Sequence, residues 1–198
     1  MTKVTYPRGR VRSLLTKIAL PPSYRIIPAH HIGTPLGTTA GDSRFCSKAD
    51  SYTVLYAAAD FTTAFVETVV RDELTHAAQR RIPLKGVTTR AWVQLRTKPR
   101  TKLRLLDLRK DGCVKLGAPT DAVNARHHAA GRALGRGIHD EHDEVDGLLF
   151  SSRLTGADAY AVFDRAIKKL THTADGPLAE HLELPEVLRK YQIELVRT

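Results

Sequence analysis

The sequence predicts a single α+β domain. Three observations carry this reading. The chain has 198 residues, the usual size of one domain. Strand-like and helix-like segments follow one another without regular βα alternation, which argues against a doubly wound sheet. Hydrophobic residues make up 42% and charged residues 26%, an ordinary globular balance that excludes collagen-like, disulfide-scaffold and wholly disordered chains. No apolar run approaches the roughly 20 residues that span a bilayer.

Residues 1–22 are basic, with Arg8, Arg10 and Arg12, and end in Pro21-Pro22. They read as an arm or short helix ahead of a domain over residues 23–198. The apolar stretch 14–20 is broken by Thr16 and Lys17, so no secretory signal is expected. Segment 24–27 is β-branched and reads as the first strand. Residues 28–50 are rich in His, Gly, Thr, Pro and Ser and form a long loop, the kind that often carries function. Segment 53–58 has strand character. Residues 60–73 have apolar residues at helical spacing (Phe61, Ala64, Phe65, Val69), with Asp60 as N-cap. Two strands are expected over 84–95 and 101–108, joined by a basic turn at Pro99. A helix should run from Asp121 to Ala133 and end at Gly135 and Gly137. Strands follow over 145–151 and 159–167, then a short helix and a strand within 185–196.

Lys and Arg number 31 against 21 Asp and Glu, a net charge of +10 and a pI of about 9.9. Such a field attracts polyanions without choosing among nucleic acid, acidic protein and phosphorylated small molecules. Cys46 and Cys113 are too few for a disulfide framework or a four-cysteine zinc site. With no targeting signal, a cytoplasmic location is expected.

Most local motifs are weak. His139 and His142 stand in an acidic run between Gly137 and Gly147, but fix no tetrahedral ligand set, so no metal is expected. His30-His31 and His127-His128 are equally unspecific. The glycines of 112–117 and 131–137 match neither a P-loop nor a dinucleotide fingerprint. No Gly-x-Ser-x-Gly elbow occurs. Cys46, beside Arg44, is either a buried thiol or one of lowered pKa. The basic stretch 96–104 lacks the interleaved aromatics that stack on single-stranded bases.

One ordered series remains. Tyr24-Arg25 lies in the first strand and Gly41-Asp42-Ser43-Arg44-Phe45 in the long loop. Val54-Leu55-Tyr56-Ala57-Ala58-Ala59-Asp60 leads into Thr63-Ala64-Phe65-Val66-Glu67. Asp146-Gly147-Leu148-Leu149-Phe150-Ser151-Ser152 ends a later strand. This series resembles the RES domain, named for an Arg, a Glu and a Ser, over about residues 24–165. The sequence departs from the usual family pattern at Ser43, where Gly is common, at Cys46, where Asn is common, and at Phe150-Ser151, where Tyr-Pro often precedes the Ser.

The resemblance implies an ADP-ribosyltransferase-like fold, a single α+β domain with a mixed, mainly antiparallel sheet. It implies a toxin that degrades NAD at the nicotinamide–ribose bond by phosphorolysis or hydrolysis, restrained by an Xre-like antitoxin. NAD would be a consumed substrate and inorganic phosphate a possible co-substrate, with no resident cofactor or metal. Membrane association is not expected, nor nucleic-acid binding except through the antitoxin. Carried onto this chain, Glu67, Arg44 and Ser152 would be catalytic, Ser151 being the alternative to Ser152. Arg25, Arg44, Tyr56 and Ser152 would bind NAD. The competing readings are an ADP-ribosyltransferase acting on a protein and a noncatalytic basic nucleic-acid-binding protein.

Overall fold

A computed structural model describes residues 4–74 and 80–197. The chain builds one eight-stranded sheet in the order β1-β6-β7-β8-β3-β2-β5-β9. Its strands are β1 (Leu15–Ile18), β2 (Ser23–Pro28), β3 (Val54–Ala58), β5 (Arg90–Thr97), β6 (Leu103–Asp107), β7 (Gly147–Ser151), β8 (Asp158–Phe163) and β9 (Leu170–Pro177). Only the β6–β7 ladder is parallel; every other neighbour pair in this sheet is antiparallel. The two short strands β4 (Arg81–Pro83) and β10 (Glu194–Val196) pair in parallel beside it. The α+β class and the mainly antiparallel sheet agree with the sequence reading.

The period of two along each strand sorts side chains onto two faces. On β7 and β8, Leu148, Phe150, Ala161 and Phe163 face a core shared with Phe45, Tyr52 and Leu134. Leu149, Tyr160 and Val162 face the other way, against Leu55, Leu95, Leu103 and Leu105. These central strands are therefore buried on both sides, which is why they read as near-continuous apolar runs. A third cluster packs Phe61, Phe65 and Val69 against Ile26, Ile82 and Val187.

The helices are short. They are α1 (Arg8–Ser13), α2 (Phe61–Phe65), α3 (Arg71–Glu73), α4 (Lys85–Thr88), α5 (Gly112–Leu116), α6 (Asp121–Asn124), α7 (Ala129–Glu141), α8 (Asp164–Ile167) and α9 (Leu184–Lys190). No helix among the described residues is long and apolar enough to cross a membrane.

Four sequence expectations need correction. The basic N-terminal segment contains helix α1 but also strand β1, which pairs with β6, and it buries Tyr6 and Val11 in the main core. Residues 84–89 are a helical turn, not strand: the Thr88 and Thr89 hydroxyls donate to the carbonyls of Leu84 and Lys85, four residues back. The helix expected over 121–133 breaks after Asn124 and restarts as α7, which runs through Gly135 and Gly137 to Glu141. Residues 164–167 leave the strand as helix α8. Strand β9 went unread, since its sequence LTHTADGP has little strand character.

His139 and His142 belong to packing. His139 stacks on Tyr52 at 4.0 Å between ring centroids. The buried His142 places Nε2 3.0 Å from the Tyr6 carbonyl oxygen.

Candidate active site

A cleft of about 450 Å³ opens between β2, β3 and the helix that follows β3, and it gathers Arg25, Arg44, Tyr56 and Glu67. These four residues come from a strand, a loop, a second strand and a helix. The cleft is therefore a product of the fold.

The helical wall starts at Asp60, whose Oδ1 accepts from Thr63 N at 2.7 Å and caps α2. A π turn over Val66–Val70 joins α2 to α3. Such turns recur at functional sites because they re-aim side chains within one helix. Here Ala64, Glu67, Thr68 and Arg71 line the cleft, while Phe61, Phe65 and Val69 fill the core behind them.

Glu67 is held by a partner 85 residues away. Ser152 Oγ donates to Glu67 Oε1 at 2.5 Å. The backbone N–H groups of Leu154 and Thr155 both donate to the same Oγ at 3.2 Å. With its lone pairs taken by two donors, the hydroxyl proton is directed to the carboxylate. Ser152 is only 3% exposed, so in this structure it acts on the cleft through Glu67. Its neighbour Ser151 lies at the end of β7, opposite Asp158. The geometry thus ties Ser152, not Ser151, to the glutamate.

The long loop presents Arg44 and is fixed from four sides. Tyr56 Oη accepts from Phe45 N at 2.9 Å and shares a 2.8 Å hydrogen bond with Ser43 Oγ. Tyr52 Oη donates to the Phe45 carbonyl at 2.6 Å. Arg44 itself donates from Nη1 to Ala125 O at 2.9 Å. Arg132 and Arg136 of α7 pair with Asp42 and Asp50 at 3.2 and 2.6 Å. The backbone of α7 lies directly on this loop: a Cβ added at Gly131 would sit 2.5 Å from Arg44 O, and one at Gly135 only 2.1 Å from Phe45 O. These glycines do not end the helix; they let it approach the loop.

Tyr56 thus lines the cleft with its ring and spends its hydroxyl on the arginine loop. Replacing Tyr56 by Phe should destabilise the protein by about 1–3 kcal/mol, because the Phe45 N–H loses its acceptor in a buried setting. Thermal unfolding checks this; an unchanged midpoint would mean that water replaces the hydroxyl at no cost.

The cleft is electropositive. Burial pushes the Arg44 guanidinium below its usual range; Arg153 and Arg71 add to the shift, and Glu67 opposes it. His128, also in the wall, is held low by burial and by Arg44, Arg71, Arg132 and Arg153 together. Arg25 is pushed down to about 10 by burial alone and stays a cation at neutral pH. Its Nη1 donates to Pro35 O and Gly37 O at 3.3 and 3.2 Å, and its buried Nε has no hydrogen-bond partner among the described residues. Burial raises the Cys46 thiol, against the lowering by its hydrogen bond with Ser43, so the loop does not favour the thiolate.

Sequence reasoning missed Arg71, Arg153 and His128. Arg71 was within reach, since it stands four residues beyond Glu67 on the same helical stripe. Arg153 and His128 carry no local signal. Among the described residues no three His, Cys, Asp or Glu side chains form a metal-binding group.

The curled sheet thus carries a cationic cleft with one hydrogen-bonded carboxylate in its wall. The model of the RES domain matches residues 22–185, and the chain belongs to the RES-domain family. It is 37% identical over 95 residues to a protein of Sinorhizobium fredii named "Probable toxin y4kH", covering 48% of this chain and 75% of that one. The fold is similar to that of a chain in the crystal structure of the M. tuberculosis MbcT–MbcA toxin–antitoxin complex. The TM-score is 0.66 at 16% identity, covering 86% of this chain and 90% of that one.

Proposed function

We propose that this protein is the toxin of a toxin–antitoxin pair and that it cleaves NAD at the nicotinamide–ribose bond. The observation that carries the chemistry is Glu67, fixed by Ser152 at the wall of a cleft whose other polar groups include arginines. The relative named a probable toxin and the structural neighbour from a toxin–antitoxin complex support the biological role.

NAD brings two phosphates, a cationic nicotinamide and an N-glycosidic bond. Arg44, with Arg25 beside it in the wall, binds the pyrophosphate through charge-assisted hydrogen bonds. As the bond to nicotinamide breaks, positive charge develops on the ribose, and the Glu67 carboxylate stabilises it. Ser152 keeps that carboxylate in one orientation. Tyr56 holds the loop that presents Arg44. NAD is consumed, and the scheme requires neither a resident cofactor nor a metal. Water, or inorganic phosphate drawn in by the surplus of arginine, bonds to the ribose carbon as nicotinamide leaves it. A proteinaceous antitoxin restrains the enzyme by covering the cleft, its carboxylates meeting the arginines that would otherwise meet phosphate.

Purified protein incubated with NAD, with and without phosphate, tests the reading through its products. Release of nicotinamide is expected, together with ADP-ribose or its 1″-phosphate. Undiminished NAD, with no growth defect on expression alone, would overturn it. Arg44→Lys should raise the KM for NAD by about tenfold or more, because Lys keeps the charge but loses the planar fork. Unchanged kinetics would move the phosphate-binding role to Arg25.

A further inference from the structure

We propose that the end of the sheet remote from the cleft is a docking surface for duplex DNA, held through its phosphates. The sequence carries no Asp or Glu between Glu73 and Asp107, yet it places nine Lys or Arg in that stretch. The fold collects the later ones with cations from elsewhere. Thr97 N donates to Leu20 O at 3.4 Å and Lys98 N to Lys169 O at 2.9 Å, so the end of β5 meets the segment after β1 and the turn after α8. Lys17 stands opposite Arg104 in the β1–β6 ladder. The segments brought together here carry Lys17, Arg96, Lys98, Arg100, Lys102 and Lys168, all exposed.

None of these six has an ion-pair partner among the described residues. Of the acidic groups near this end, Asp146 is 5% exposed and turned inward, accepting from Lys169 Nζ and Arg104 N, while Asp143 pairs with Arg165 and Asp164 accepts from the backbone of Thr53 and Arg165. The six cations are therefore unpaired among the described residues, and the neighbouring carboxylates are engaged with other partners. The central turn is also held: Thr101 N donates to Lys98 O at 3.0 Å, Pro99 fixes the first corner, and Arg100 takes φ 61. That is the left-handed conformation glycine adopts without cost, and here it carries a cation.

The partner follows from this chemistry. A cluster of Lys and Arg without Asn or Gln makes contacts that position a backbone rather than read bases. No aromatic side chain stands among the six, so stacking on single strands is not supplied. A duplex requires none, and it offers one phosphate charge per roughly 1.7 Å of axis. Direct duplex binding goes against the expectation, drawn from the family resemblance, of no nucleic-acid contact except through the antitoxin; the missing aromatics by themselves bear on single strands alone. Strand β7 begins beside Asp146 and ends near Ser152, so this face lies about 17 Å from the glutamate at roughly 3.4 Å per residue. A bound duplex leaves the cleft open, and the inference is independent of the NAD reading.

Fluorescence anisotropy with a labelled random-sequence duplex of roughly 20 base pairs is the test, with salt varied from about 50 to 200 mM. Six phosphate contacts predict a slope of log K against log salt of about −5. The variant K98A/R100A/K102A should flatten the slope by about 3 at an unchanged melting temperature. The variant K85A/R189A/K190A removes equal charge from exposed positions on α4 and α9 and should leave the slope as it was. No binding, equal loss in both variants, or tighter binding of single strands, duplex RNA or polyglutamate would each overturn the proposal.

Discussion

Glu67→Gln is expected to lower NAD turnover by about 100-fold or more, with the fold intact. The substitution keeps an oxygen acceptor for Ser152 Oγ, now 2.5 Å from the carboxylate, and it keeps the side-chain length. What it removes is the negative charge beside the ribose as positive charge develops there. The loss should fall on kcat and kcat/KM together, because the interaction is made mainly in the transition state. Ser152→Ala should act in the same direction and less strongly, since it frees the carboxylate without discharging it. A folded Glu67→Gln protein with near-normal turnover would remove Glu67 from the mechanism.

The second large effect is on stability. Gly135→Ala drives a methyl group to 2.1 Å from Phe45 O, 2.9 Å from its carbonyl carbon and 3.0 Å from Tyr52 Oη. Both neighbours are fixed, because Tyr52 Oη donates to that same carbonyl oxygen. Neither a helix backbone nor a pinned loop yields cheaply, so a loss of about 2–3 kcal/mol is expected. For a domain of this size that corresponds to a fall of about 5–10 °C in the melting temperature. Gly131→Ala presses on Arg44 O in the same way, at 2.5 Å. A Gly135→Ala protein that melts with the wild type would show that α7 and the loop are not in contact in solution.

The α2 helix was legible because several signals agree: Asp60 caps it and the Phe61, Phe65 and Val69 stripe is regular. The central strands were legible because burial on both faces leaves uninterrupted apolar runs. Residues 84–89 misled because Val87, Thr88 and Thr89 have strand propensity, whereas the chain there is set by contacts, including the donation of Leu84 N to Val196 O. The α7 glycines misled in another way. Alone, glycine signals a helix stop; against the 44–45 backbone it signals close approach, and no single sequence shows that backbone. The same limit applies to the cleft. Arg25, Arg44, Tyr56 and Glu67 could be ordered along the chain, but that Tyr56 serves Phe45 and Ser152 serves Glu67 required the fold.

The strand formed by Leu15–Ile18 has a practical consequence. The family match begins at residue 22, whereas the sheet begins at Leu15. A chain trimmed to the family boundary would strip the partner from Leu103–Leu106 and leave a row of unpaired N–H and C=O groups on a leucine-rich edge. Such an edge is a template for strand addition by a neighbouring molecule. It would also open the space filled by Tyr6 and Val11. Residues 15–18 thus replace a leucine-rich edge by a short one that carries Lys17, and a shortened protein would be expected to self-associate before it could be assayed.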